Sequence, residues 1–204
     1  YIFIFFTSFF TSLVMTYGII QFNKRNNIKE KLRIDRWHKH SVGKYGGVAI
    51  WFSFLITNVI FVNFEAYQII LIFSTMSFFI GLVDDIFDIK PQFKMLYVIL
   101  LAIGCFYFEI KFMPSLPVYI NLPLTIFWFA GIINAVNLID NLDGLSSGIS
   151  AIALIIISFY LFTIGNYEMV NLAIILVGSC LGFIIFNFPP AKIFMGDSGS
   201  FFLG

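Results

Sequence analysis

Charge is what this sequence has least of. Of its 204 residues only 11% are Asp, Glu, Lys or Arg, with two histidines and two cysteines besides. A soluble domain carries about a quarter of its residues charged, so the supply here is too small to cover a water-exposed surface. Cys105 and Cys180 each stand alone in an apolar run, which reads as a small buried hydrophobe rather than half of a disulfide or metal pair. No GxxxxGKS or GxxxxGKT occurs, which excludes a P-loop enzyme. Runs such as YIFIFFTSFFTSLVMTYGII do not alternate, which excludes the strands of a membrane β-barrel. A formal net charge of +1 gives no ground to expect a nucleic-acid partner.

What is present in excess is apolar surface. Hydrophobic residues make up 60% of the chain, and the mean hydropathy is +0.95. The expected fold is an all-α polytopic membrane protein, a multi-span helical bundle in the lipid bilayer with cytoplasmic active-site loops. Hydropathy places seven crossings near 1–22, 46–63, 68–83, 95–109, 121–139, 149–164 and 171–188. Several of these runs are short, so the helices are expected to extend into their polar flanks. The connection IKFMPSLPVYI, 110–120, has two prolines and reads as a turn or small hairpin. The first run has neither a basic leader nor a small-residue cleavage site, unlike a signal peptide. The sequence opens on Tyr1 and closes on FFLG as another apolar run begins. It therefore reads as a single transmembrane domain, 1–204, from which at least one carboxyl-terminal span is missing.

Orientation follows from the basic residues. The segment 23–45 holds eight of the twelve Lys and Arg, which puts it in the cytoplasm and the amino terminus outside. Counting crossings then puts 84–94, 140–148 and 189–200 on the same side, with Lys90, Lys94 and Lys192; only Lys111 falls outside. Six of the eleven acidic residues collect in these three segments: Asp84, Asp85 and Asp88 after the third span, Asp140 and Asp143 after the fifth, and Asp197 after the seventh. Asp84 and Asp88 lie one helical turn apart and are expected to share a face, with Asp85 turned away. Asn137, Asp140 and Asp143 form a slowly turning stripe, and Asp197 lies between Gly196 and Gly199, where backbone can approach a ligand. One such cluster alone reads equally well as a solvated helix end; three on one side, each beside Gly or Asn, point to a site. Hard oxygen ligands next to lysines point to Mg2+ and phosphate, the parts that phosphoryl transfer uses. His38 and His40 have no nearby acid to complete a metal site and read as structural or phosphate-contacting.

At these residues the sequence resembles the polyprenyl-phosphate N-acetylhexosamine-1-phosphate transferases. GLVDDIFDIKPQFK resembles the family's aspartate-rich motif, NAVNLIDNLDGLSSG and PAKIFMGDSGSFFLG two further motifs, and DRWHKHSVGKYGG, more weakly, its first cytoplasmic loop. Asn141, Gly43, Lys44 and Val98 depart from the common pattern, and none of these removes a carboxylate. The resemblance implies Mg2+-dependent transfer of a sugar 1-phosphate from a UDP-N-acetylhexosamine to undecaprenyl phosphate at the bacterial inner membrane, with release of UMP. It also implies roles. Asp84 and Asp85 match the aspartate pair, the first as base toward the lipid phosphate. Asp140, Asp143 and Lys94 complete the catalytic set, and Asp85 and Asp197 would hold the metal. Asn137, His38, Lys44, Gly196 and Lys192 would bind substrate. A homodimer is left open, and the sugar is not readable. Two alternatives stand beside this one, a cation transporter with a carboxylate-lined path and a non-catalytic lipid-binding relative.

Overall fold

The computed structural model describes residues 1–28, 42–62 and 64–204, with the side chains of 64–66 left aside. Every expected crossing is a helix. In chain order they are α1 (Ile2–Arg25), α2 (Gly46–Phe61), α3 (Phe64–Phe87), α4 (Pro91–Tyr107), α5 (Val118–Ile139), α6 (Leu145–Thr163) and α7 (Tyr167–Asn187), followed by the short α8 (Gly196–Leu203). Among the described residues there is no strand, only an isolated parallel bridge between Gly43 and Ile193. Helices run past their apolar segments as expected: α3 continues through Asp84 and Asp85, and α4 begins early enough to hold Lys94 in its first turn.

Five of these helices, α1, Tyr67–Phe87 of α3, α5, α6 and α7, are long and apolar enough to cross a bilayer; α2 and α4 are shorter, with 16 and 17 residues. At 1.5 Å per residue those two rise about 24–26 Å, somewhat less than the ~30 Å hydrocarbon layer. The structure thus gives five full-length spans and two short apolar helices where seven crossings were expected.

The helices turn their polar faces inward. Phe3, Phe127 and Phe159 are more than 70% exposed, whereas Ser8, Ser12, Thr16, Ser53 and Ser179 are fully buried. In lipid, apolar surface gives helices no reason to associate, so contact depends on close packing and hydrogen bonds. The α1–α7 contact shows both. Gly178 and Gly182 on α7 let the backbone of α1 approach until an added Cβ would lie 2.7 Å from the Phe5 carbonyl and 2.4 Å from that of Phe9. Between them Ser8 donates to the Ile175 carbonyl (2.6 Å), Ser12 to that of Ser179 (2.7 Å), and Ser53 of α2 to the Ser179 hydroxyl (2.8 Å). Cys105 and Cys180 are free and buried, as the sequence indicated.

Packing divides the bundle into two groups. α1 and α6 lie on α7 with α2 beside them, α4 lies on α5, and α8 touches α2, α3 and α5 and joins the groups. Its approach needs glycine on three sides. A Cβ on Gly47 would meet the Gly199 nitrogen at 2.2 Å, one on Gly199 the Met195 Cγ at 2.1 Å, and one on Gly81 the Asp197 carbonyl at 2.2 Å. The segment before α8 is tied to the start of α2. Phe194 N–H donates to the Gly43 carbonyl (2.9 Å), and the N–H groups of Gly46 and Gly47 donate to the carbonyls of Phe194 and Met195 (2.9 and 2.8 Å).

Candidate active site

The end of α3 supplies the first two carboxylates. Asp84 is buried, at 6% exposure, and accepts the Ile89 N–H at 2.7 Å, closing the turn that follows the helix. Asp88 does not continue the helical face as expected. α3 ends at Phe87, and Asp88 takes a left-handed conformation (φ 54°) with its side chain exposed, so it does not stack on Asp84. Asp and Asn tolerate this conformation better than other non-glycine residues, which suits Asp88 to ending a helix.

Pro91 then starts α4 with the fixed φ a first turn requires, which puts Lys94 on the turn facing back toward α3. Its ammonium pairs with Asp84 and with Asp197 Oδ2, the second at 2.9 Å. Asn137, on the last turn of α5, donates from Nδ2 to Asp197 Oδ1 and to Ser200 Oγ, both at 2.8 Å. Asp84, Lys94, Asn137 and Asp197 therefore meet, although they come from four helices.

Asp85 does something different. Its Oδ1 accepts the Asp197 N–H at 2.8 Å and its Oδ2 the Ser198 N–H at 3.0 Å. Those are among the orphan amides of the first turn of α8, which has no side-chain cap of its own. A carboxylate at a helix amino terminus also meets the positive end of the helix dipole. Gly196 makes room for it: φ is +79°, and a Cβ there would lie 2.7 Å from the Asp85 carboxylate. Both oxygens of Asp85, expected as a metal ligand, are thus engaged in holding α8.

Asp197 is the strongest acid of the group. Burial alone would raise its pKa, but hydrogen bonding with Asp84, the Lys94 ammonium and the Asn137 amide outweigh that and bring it to about 2. It is a carboxylate throughout the neutral range.

Among the described residues no group of three or more His, Cys, Asp or Glu side chains is arranged to hold a metal ion. Magnesium does not require one, since it is commonly held by one or two carboxylates together with water and substrate phosphates. Asp84 and Asp197 are two hard oxygen donors close enough to share one ammonium, so the chemistry of the pair fits a divalent ion.

Asp140 and Asp143 belong to an adjoining turn. Asp140 ends α5, and Asp143 Oδ2 accepts the Ala191 N–H at 3.1 Å. Asn187 secures the same turn, accepting from Gly144 N–H (3.0 Å) and donating to the Ile193 carbonyl (2.9 Å). Lys44 approaches through its backbone, its carbonyl accepting from Asn23 at 2.7 Å. Lys192 is exposed and lines a different cleft, with Lys24 and Asn23. His38 and His40 lie outside the described residues. The sequence reading missed Ser200, Asn187 and Gly81. Ser200 follows Asp197 by three residues, a spacing that puts the two on one helical face, and Asn187 is a polar residue closing an apolar run.

Residues 67–204 match the family model described as glycosyl transferase family 4. The chain belongs to that family. It is 40% identical over 134 residues to a probable undecaprenyl-phosphate N-acetylglucosaminyl 1-phosphate transferase of Bacillus subtilis, covering 61% of this chain and 37% of that protein. It is 32% identical to a phospho-N-acetylmuramoyl-pentapeptide-transferase of Staphylococcus carnosus, covering 97% of this chain and 71% of the relative. It is also 32% identical to an undecaprenyl-phosphate alpha-N-acetylglucosaminyl 1-phosphate transferase of Thermotoga maritima, covering 95% and 59%. The chain thus spans 37–71% of the length of these three family 4 relatives.

Proposed function

We propose that the full-length protein transfers an N-acetylhexosamine 1-phosphate from a UDP-sugar to undecaprenyl phosphate and releases UMP, at the cytoplasmic face of a bacterial inner membrane. The observation that carries this reading is the meeting of Asp84, Lys94, Asn137 and Asp197 at one end of a membrane-length bundle. A lipid phosphate is confined to the head-group level, and a nucleotide sugar is dissolved in water. Chemistry between them belongs at the membrane edge, where these side chains are. A cation path would instead place ionisable groups along the spans.

In this reaction an oxygen of the lipid phosphate bonds to the phosphorus that carries the sugar. The bond from that phosphorus to the bridging oxygen breaks, and UMP leaves with the bridging oxygen and its electron pair. A phosphate monoester has a second pKa near 6, so the attacking group is already largely a dianion at neutral pH. Asp84 as a base therefore contributes less than position and charge do. Lys94 offers a cation to the transferring phosphoryl group. Asn137 and Asp85 fix Asp197, one from its side chain and the other through the backbone of α8. Asp140 and Asp143, on the neighbouring turn, are assigned to the nucleotide, and Gly196 to substrate. His38 and Lys44 are assigned to phosphate. Mg2+, held by Asp197 with its neighbouring carboxylates, would supply neutralisation of the diphosphate charge.

The test is UMP release by the full-length protein in detergent, given undecaprenyl phosphate and a panel of UDP-N-acetylhexosamines, with and without Mg2+. Release that requires lipid phosphate, donor and metal is expected, and the donor that works names the sugar. Folded protein that binds lipid yet releases no UMP from any donor would overturn the assignment.

A further inference from the structure

A second cleft, of about 460 Å3, lies at the same end of the bundle and shares no lining residue with the Asp84–Asp197 cluster. Ile20, Asn23 and Lys24 of α1 form one wall, with Ile28 and Val42 beside them and Lys192 opposite. Three features of these residues call for a ligand. Asn23 is only 4% exposed; its Nδ2 donates to the Lys44 carbonyl, but its Oδ1 receives no hydrogen bond. Buried carbonyl oxygens are almost always paired, so this one calls for a donor from whatever occupies the cleft. Lys24 and Lys192 are both exposed, and among the described residues no carboxylate lies within ion-pair distance of either. Ile20, Ile28 and Val42 make the rest of the lining apolar.

Two cations, one unfilled acceptor and an apolar wall describe the recognition of an amphiphilic anion. The position agrees, because the last turn of a membrane-length helix that ends in Lys24 and Arg25 sits at head-group level. We propose that this cleft binds a phosphate-bearing head group that also carries a hydrogen-bond donor, such as a hydroxyl, with its phosphate between Lys24 and Lys192 and its donor toward Asn23. The site does not depend on the transferase reading. It does adjoin the segment that carries the acids. Gly43 and Ala191, also in the cleft wall, pair respectively with Phe194 and with Asp143, so an occupant braces the stretch leading to Asp197. Gly43 keeps the wall open, since a Cβ there would come 2.5 Å from Asn23 Nδ2.

The experiment is native mass spectrometry of the full-length protein in detergent with phosphatidylglycerol or phosphatidylcholine of identical acyl chains. A parallel arm measures thermal shift with glycerol 1-phosphate. Wild type is compared with Lys24→Ala/Lys192→Ala and with Lys90→Ala/Lys111→Ala, which removes the same charge elsewhere. Preferential retention of phosphatidylglycerol is expected. It should weaken about fivefold per lysine, about thirtyfold in the cleft variant, from the typical contribution of one basic residue at an anionic surface. The control variant should stay within about twofold of wild type. Binding of glycerol 1-phosphate with the same lysine dependence supports the site and assigns it to a soluble phosphate. Equal weakening in both variants, or phosphatidylcholine held as well as phosphatidylglycerol, overturns it.

Discussion

Gly81→Ala adds one methyl group where α3 has no room for it. The new Cβ would lie 2.2 Å from the Asp197 carbonyl oxygen and 2.7 Å from Ser198 Cα. Backbone cannot rotate away as a side chain can, so α8 must retreat by about 1.2 Å to reach the 3.4 Å of ordinary contact. The same shift takes the 2.8 Å bond from the Asp197 amide to Asp85 out to about 4 Å, beyond hydrogen-bond range. Overpacking of this kind costs about 1–3 kcal/mol, and a displacement of about 1 Å in a reacting constellation costs roughly a hundredfold in rate. UMP release by the full-length variant is therefore expected to fall about a hundredfold, with a thermal midpoint only a few degrees lower and normal membrane insertion. Gly131→Ala is the control, because a Cβ there meets nothing within 4 Å. Activity of Gly81→Ala within twofold of wild type, in protein with an unchanged melting profile, would refute the claim that Asp197 is positioned by backbone contact with α3.

Asp197→Asn keeps the shape and the acceptor toward Asn137 but removes the charge that faces Lys94; inserted, folded protein without measurable UMP release is expected, and full activity would end the assignment of Asp197 to the metal. Ser200→Ala removes one of two acceptors of Asn137 Nδ2, so a loss of about 1 kcal/mol and a fall of a few fold in rate are expected, read from kcat at saturating donor. Gly182→Val forces a side chain against the Phe9 carbonyl and should lower stability by about 1–3 kcal/mol in a denaturation assay while leaving the acidic cluster untouched. Chelation by EDTA should stop UMP release without lowering the thermal midpoint much, because Lys94 already pairs with both Asp84 and Asp197 in the absence of metal.

Much of the architecture was legible because lipid leaves the chain few options. Seven apolar runs had to become helices, and the collection of Asp84, Asp140, Asp143 and Asp197 at one end followed from counting crossings. Hydropathy marked the run of α4, 95–109, as the shortest but did not register α2 as short, because its run, 46–63, is longer than those of α3 and α6, which gain their length from their flanks. It could not place Asp88 either: spacing assumes that a helix continues, whereas α3 stops at Phe87 and the next residue turns left-handed. The division of labour within the Asp84–Asp85 pair was also hidden. Adjacent residues on a helix point about 100° apart, so one meets Lys94 and the other the amides of α8, and that outcome depends on where α8 lies. The inward hydroxyls of Ser8, Ser12, Ser53 and Ser179 carry no such ambiguity once seen, but in the sequence they are isolated polar residues without a pattern of charge to mark them.

That Asp85 caps a helix more than a hundred positions later sets an order of events during synthesis. Asp84, Lys94 and Asn137 emerge from the ribosome first and can settle in the membrane as an ion pair beside an idle amide. Nothing in that intermediate yet occupies the place between Lys94 and Asn137. Only when residues 197 and 198 arrive do two amides engage Asp85, and with them the last carboxylate enters between Lys94 and Asn137. Assembly of the cluster is thereby deferred until α8 is in place, and a chain stalled short of that point lacks the carboxylate that Lys94 and Asn137 share.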